Sequence, residues 1–245
     1  QNVNSYGKGE KSSVDFSDLL RKLNTIDGDF MIRFMTSNPK DCSHKLLDTM
    51  ADCSKVAKHL HLPFQSGNNR ILQEMNRGYT REQYLSLLDY ARLVMPELSV
   101  TSDVIVGFPG ESYEEFCDTL SLVEQARFTS LYTFIFSPRK GTAAASLTDN
   151  ISHEEKVKWF QELTALQENN SAKRTAEMIG KSYRVLCESE TKAGSGIISG
   201  RTESNTIIEF PAAPAVIGSF QLVKVNEALT WLVKGELIQR ISKVE

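Results

Sequence analysis

Val100 to Phe108, VTSDVIVGF, is an almost continuous apolar run. A strand with one wet face alternates apolar and polar residues, so such a run is expected of a strand covered on both faces, as in a parallel sheet packed between helices. The flanking segments supply the helices. Thr80 and Gln83 form a capping box, and Tyr84, Leu87, Leu88, Ala91 and Met95 then fall on one helical face. Ser112 and Glu115 cap a second helix whose stripe is Phe116, Leu120 and Val123. Upstream, Phe16, Leu19, Leu20 and Leu23 have helical spacing within 14–23, Asp29 to Ser37 reads as a strand, Ser43 to Asp52 as a short helix and His59 to Phe64 as a strand. Ser130 to Phe136 is another strand. This alternation over residues 1–150 predicts an α/β fold with a parallel sheet. Ligands in such folds sit at the carboxyl ends of the strands. That directs attention to Thr36, Ser37 and Asn38, to Gln65, Ser66 and Gly67, to Gly107, Gly110 and Glu111, and to Ser137 and Arg139.

Residues 151–180 read as one amphipathic connecting helix, capped by Ser152 and Glu155 and closed by Gly180. From Lys181 the period changes to two. YRVLCES, SGIISGRTES, NTIIEF, SFQLVKVNEA and TWLVKGEL are five short strands separated by Gly, Ser, Asn and Pro. Over 181–245 they predict a small all-β barrel of OB-like size. Lys192, Arg201 and Asn205 fall at its loop edges and Phe210 ends a strand, a pattern that small barrels use on single-stranded nucleic acid.

Composition narrows the class. The 245 residues are 40% hydrophobic and 24% charged, with a net charge of −3. A globally basic nucleic-acid binder is excluded by that balance, and a local basic patch is not. No apolar run is long enough to span a membrane. The opening QNVNSYG has neither an apolar signal region nor an initiator Met, as expected of a fragment. The four cysteines, Cys42, Cys53, Cys117 and Cys187, have no C-x-x-C spacing. They read as unpaired thiols in a reducing, cytoplasmic compartment, and no metal site is expected from them.

Two strings carry candidate chemistry. In HLHLPFQSGNN, a strand runs into a loop where Pro63 lacks an N–H, Gly67 permits a tight turn, and Gln65 and Ser66 present donors and acceptors suited to a nucleoside-like ligand. The alternative is an ordinary helix start with Asn69 as its cap. In SDVIVGFPGES, a strand ends at Gly107 and Ser112 caps a helix, whose N-terminus suits an anion. This string lacks the G-K-[ST] ending of a phosphate loop. Asp103 needs a partner if buried. Arg33 is either that partner or a ligand contact. His59 and His61 share one face of their strand and read as core histidines. Arg139 and Lys140, in SPRKGTAA, either meet a phosphate or carboxylate or lie in a solvated loop.

Taken together and in order, QNVNSYG, HLPFQSGNN with ILQEMNRGYT, SDVIVGFPGE and SPRKGTAA resemble the radical S-adenosylmethionine (SAM) methylthiotransferases, and the C-terminal strands resemble their TRAM domain. QNVNSY and HLPFQSG resemble most the MiaB-type branch that acts on tRNA. The resemblance implies a partial radical SAM half-barrel followed by a TRAM barrel, with Gln1 to Tyr6 ending a barrel strand. It implies SAM as cofactor and two [4Fe–4S] clusters in the full-length enzyme, neither held by this chain. It also implies a reducing electron donor, and as substrate the anticodon stem-loop of tRNA, methylthiolated at C2 of an isopentenylated adenosine. The implied cofactor wall is Asn2, Asn4, Ser37, His61, Gln65, Ser66, Asp103 and Ile105, with Arg139 near substrate. Two other readings stay open: an RNA-binding module without catalysis, and a sibling enzyme acting on threonylcarbamoyladenosine or a ribosomal protein. No membrane partner is expected. A truncated half-barrel would leave a bare strand edge on which two copies can pair.

Overall fold

In the computed structural model, residues 2–8 and 14–240 are described. Residues 1 and 241–245, at the outer limits of the two expected domains, lie outside them.

Among the described residues, six α-helices and eight strands are ordered α1 (Phe16–Asn24), α2 (His44–Asp52), β1 (His59–His61), α3 (Asn69–Glu74), α4 (Arg81–Val94), β2 (Ser99–Val106), α5 (Tyr113–Ala126), β3 (Ser130–Ile135), α6 (His153–Ala176), then β4 (Ser182–Glu190), β5 (Ile197–Thr202), β6 (Ile207–Pro211), β7 (Phe220–Ala228) and β8 (Leu232–Arg240). The first three strands form a parallel sheet in the order β1-β2-β3, and the last five close a barrel in the order β4-β5-β6-β8-β7. The helix starts are written in the sequence. Asp15, Thr80, Ser112 and Ser152 each close a reciprocal capping box with the residue three positions on. A box satisfies two of the backbone donors that a helix start leaves open.

The sheet has one dry face and one open face. Leu60 of β1, Leu62 just past it, and Val100, Val104 and Val106 of β2 are at most 1% exposed, packed with Phe64, Phe116, Leu122 and Phe128 under the helices. The Phe64 and Phe128 rings stack at 5.3 Å. The alternate residues Thr101, Asp103 and Ile105 face the other way. Asp103 and Ile105 are half-buried, and Tyr132 and Phe134 on β3 are exposed. The expectation of a strand covered on both faces holds at the start of β2, where Thr101 is 6% exposed beside the buried His59 and His61, and cover on that face thins further on, where Asp103 and Ile105 are half-buried. The long α6 crosses the sheet, where Gln167 Nε2 and Ser171 Oγ donate to the carbonyls of Phe128 and Thr129 at 3.0 Å each. Its Trp159 stacks on Phe116.

Three local expectations change. Asp29 to Ser37 is not a strand. Its sheet-type contact is one parallel bridge, Ile32 to Val56. Val3 to Ser5 is a 3₁₀ turn capped by Asn2, not a strand end, and Val3 N–H donates to the Thr36 carbonyl at 3.2 Å. Asn68, not Asn69, caps α3: its Oδ1 accepts from Arg70 N and Ile71 N.

Arg33 is not the partner of Asp103. It reaches the barrel, donating to the carbonyls of Thr202 at 2.5 Å and Glu203 at 3.4 Å. Arg184 of β4 reaches back to Asp29, and its guanidinium lies 3.5 Å over the Phe220 ring. These two arginines tie the barrel to the irregular 29–37 segment.

Candidate functional site

The HLPFQSG segment is held at nearly every backbone group. Pro63 cannot donate to the sheet, and the β1–β2 ladder breaks there. Ser102 Oγ spans the break, accepting from Phe64 N–H at 2.9 Å and donating to the Leu62 carbonyl at 2.7 Å. The Tyr84 hydroxyl donates to the same carbonyl at 2.8 Å, and the Tyr79 hydroxyl reaches the Pro63 and Phe64 carbonyls at 3.2 and 3.1 Å. Pairing resumes at Gln65, whose N–H donates to Asp103 O at 2.9 Å and whose carbonyl accepts from Ile105 N–H at 3.0 Å. Burial raises the Tyr79 and Tyr84 phenols well above their ordinary value, so both stay donors. Sequence reasoning missed Ser102, Tyr79 and Tyr84. The only local signal was a hydroxyl inside an apolar strand.

The path of this segment depends on two glycines. A Cβ on Gly67 would lie 2.5 Å from the Asp118 carbonyl oxygen and from Thr119 Cα, so only glycine lets α5 approach the loop. Gly107 has φ +71° and is covered by the alkyl chain of Lys156. Beside it, Glu111 Oε2 accepts from Gly107 N–H and Phe108 N–H at 2.8 and 3.2 Å. Glu111 is 4% exposed and its other oxygen has no partner. Burial, partly opposed by those two bonds, pushes its carboxyl up to about 7.

Among the expected cofactor residues, the structure separates those that are spoken for from those that are free. Asn2 is used structurally: Nδ2 donates to Asp41 at 2.5 Å and Oδ1 accepts from Asn4 N–H. Ser66 is fully buried and accepts from Asn68 N–H at 3.2 Å. Asn4 and Ser37 are 6% and 5% exposed, yet both amide atoms of Asn4 and the Ser37 hydroxyl have no hydrogen-bond partner. Buried polar groups are nearly always paired, so these three atoms are the strongest local indication of a ligand. The backbone agrees. Thr36 and Gln65 have φ of 62° and 67°, a region costly for any side chain and more so for a β-branched one.

On the open face, His59 Nε2 and His61 Nδ1 both lie 3.0 Å from Thr101 Oγ1. His61 Nε2 is 3.5 Å from Asp103 Oδ1, and Tyr132 packs edge-on against its ring. A hydroxyl has one proton, so one imidazole donates to Thr101 and the other accepts from it. Burial, then the charges of Arg33, His61 and Arg201, pushes His59 down to about 4, so it stays neutral. Ile105 lies further along the same face. Arg139 follows β3 in an exposed loop. In the barrel, Arg201 Nε pairs with Glu188 at 3.2 Å and its Nη1 lies 3.4 Å from Asn205 O and Oδ1. Lys192 is exposed at the opposite end of β5 from Asn205, so the three barrel residues do not form one cluster.

Residues 2–123 match the Radical SAM superfamily and residues 176–238 match the TRAM domain. The chain is a radical SAM protein with a TRAM domain. It is 45% identical, over 98% of its length, to the tRNA-2-methylthio-N(6)-dimethylallyladenosine synthase of Thermoanaerobacter sp. (strain X514), and 48% identical over 93% of its length to the enzyme of that name from Syntrophotalea carbinolica. It covers 51% and 52% of those proteins, so the chain spans about half the length of the curated relatives it matches. In fold it is similar to the radical SAM enzyme coproporphyrinogen III oxidase (HemN) from Escherichia coli, with a TM-score of 0.52 and 19% identity over 76% of this chain and 50% of that one.

The radical SAM superfamily implies SAM and an iron–sulfur cluster. The chain fits the first: buried amide and hydroxyl groups without partners, beside the strained backbone of Thr36, are what a nucleoside-bearing cofactor needs. It does not fit the second. A cluster takes thiolates, whereas burial pushes the Cys42 and Cys187 thiols up to about 12 and about 11. Among the described residues, no three His, Cys, Asp or Glu side chains group as a metal-binding set. No described helix is long and apolar enough to cross a membrane.

Proposed function

We propose that this chain forms the cofactor wall and the RNA-facing barrel of a cytoplasmic tRNA methylthiotransferase, which adds a methylthio group to C2 of an isopentenylated adenosine beside the anticodon. The observation that carries the reading is the buried, unpartnered polar set of Asn4 and Ser37, joined through the Val3–Thr36 hydrogen bond in a chain with TRAM at its other end. The names of its relatives supply the reaction class. Asn4, Ser37 and Gln65 would hold the polar parts of SAM, Ile105 would contact its adenine, and Ser66 and Asn2 would keep the loops in place. His61 and Asp103 would line the same face. When bound beside a reduced iron–sulfur cluster, SAM supplies radical hydrogen abstraction. The clusters, two in the whole enzyme, and the docking of an electron donor belong outside these residues. Arg139 would lie near substrate, and Lys192, Arg201 and Asn205 would contact the anticodon stem-loop. The chain would divide at about 150 and 180 into half-barrel, connecting helix and TRAM.

Deleting the gene in the organism that encodes it is expected to leave isopentenyladenosine without its 2-methylthio group, read by mass spectrometry of total tRNA. Unaltered 2-methylthio-isopentenyladenosine would overturn the reading. Pairing of two chains is also proposed. Light scattering that reads a monomer at every concentration would remove it.

A further inference from the structure

A cavity of about 350 Å³ opens between the amino-terminal ends of β2 and β3, the end of α6 and the barrel. Its size falls in the lower part of the roughly 300–1,000 Å³ typical of small-ligand sites. The cavity reaches Thr101 and Tyr132, both of which touch His61, and Ile105 of the proposed cofactor wall lies four residues past Thr101 on β2, roughly 13 Å along the strand. The lining combines three chemistries. Trp231, in the β7–β8 turn, and Tyr132 of β3 are 50% and 48% exposed. Arg174 of α6 and Lys181 bring cations without an ion-pair or hydrogen-bond partner for their side chains among the described residues, and Arg201 adds a third that is already paired with Glu188. The remaining wall is largely hydroxyls, with the amide of Asn205 and two carboxylates, Glu97 and Glu177.

This mixture selects among ligands. Two carboxylates against two unpaired cations make a poor trap for a free polyanion. They suit a group with one negative charge, a flat π-face and several hydroxyl or amino donors. An unpaired nucleotide of an RNA strand has all three: a phosphodiester for Arg174, a base to stack on Trp231, and ribose and base donors for the carboxylates and hydroxyls. We propose that this cavity seats an unpaired nucleotide of the bound RNA, away from the nucleotide that reacts. The inference deepens the RNA-binding role assigned above to the barrel and rests on it. It adds a contact surface shared by α6, the sheet and TRAM, where the sequence pointed to the barrel loops alone.

The test uses the chain itself and a short fluorescein-labelled single-stranded RNA, read by anisotropy. Trp231→Ala is expected to weaken binding roughly 5- to 100-fold, the range for losing one stacked base, while Trp231→Phe keeps most of it. Arg174→Gln is expected to weaken binding and lower the slope of log affinity against log salt by about 0.7, the signature of one lost phosphate contact on a single strand. A purely structural role would leave that slope unchanged. The chain has two tryptophans and Trp159 is 8% exposed. In a Trp159→Phe background, RNA is therefore expected to quench the emission of Trp231. If wild type binds RNA and the three variants at 231 and 174 bind equally well, the cavity assignment fails and the barrel's RNA role stands. If wild type does not bind RNA, both fail. Quenching by adenosine monophosphate that RNA does not compete away would overturn the assignment to an RNA strand.

Discussion

Glu111 sits where the buried strand β2 turns into α5, and it is expected to make the fold less stable as pH rises. Its carboxyl is pushed from 4.5 up to about 7 by burial. The unfolded chain releases this proton at the lower value and the folded chain holds it to the higher one. Between the two the folded state binds more protons, so this group's contribution is fully present below about 4.5 and lost as pH rises through about 7. A shift of this size corresponds to roughly 3 kcal/mol at the alkaline plateau. Glu111→Gln keeps an oxygen to accept from Gly107 N–H and Phe108 N–H and removes the charge. The variant is expected to match wild type near pH 4.5 and to exceed it by about 3 kcal/mol above pH 8, a melting-temperature gain on the order of 6–12 °C for a chain of this size. Glu111→Ala loses both bonds and is expected to be less stable than Glu111→Gln at every pH. Urea unfolding of the three proteins across this range gives the comparison. A gap between wild type and Glu111→Gln that does not widen with pH would refute the reasoning, because the cost would then not come from the charge.

Other outcomes follow from the same geometry. Ser102→Ala should cost about 1–3 kcal/mol, since Phe64 N–H is left buried without an acceptor, and chemical denaturation reads this directly. Gly67→Ala should cost about 1–3 kcal/mol through the contact of its Cβ with the Asp118 backbone; unchanged stability would mean that α5 yields easily. His59 is held down to about 4 by burial, so its contribution is present above about 6.5 and lost as pH falls toward 4. Thermal scans of His59→Gln should accordingly show a shallower acid decline than wild type, and parallel curves would count against a neutral, buried His59.

Much of the fold was legible because its causes are local. The capping boxes of Thr80, Ser112 and Ser152 are completed within four residues, and each helix begins where its box predicts. The change of period after Gly180 announced five strands, and five strands close the barrel. Asp29 to Ser37 was misread because strand propensity needs an adjacent strand to pair with, and this segment meets Val56 at one residue. The apolar content of 100–108 showed burial but not that cover on the second sheet face thins at Asp103 and Ile105.

For the site, the sequence marked Asn4, Ser37 and Gln65 by their place at strand ends and by resemblance. It could not distinguish the amide of Asn2, spent on Asp41, from that of Asn4, which has no partner, because that difference depends on contacts across 39 residues. The sequence by itself determined most of the elements, their order and the family they belong to, since periodicity, caps and motifs are properties of neighbours along the chain. Tertiary structure alone decided that Ser102, Tyr79 and Tyr84 hold the HLPFQSG backbone, that Arg33 ties to the barrel 169 residues away, and that Arg174 and Trp231 share one cavity. Each depends on a hydrogen bond or an enclosed volume made by residues distant in sequence, and such pairings exist only once the chain has packed.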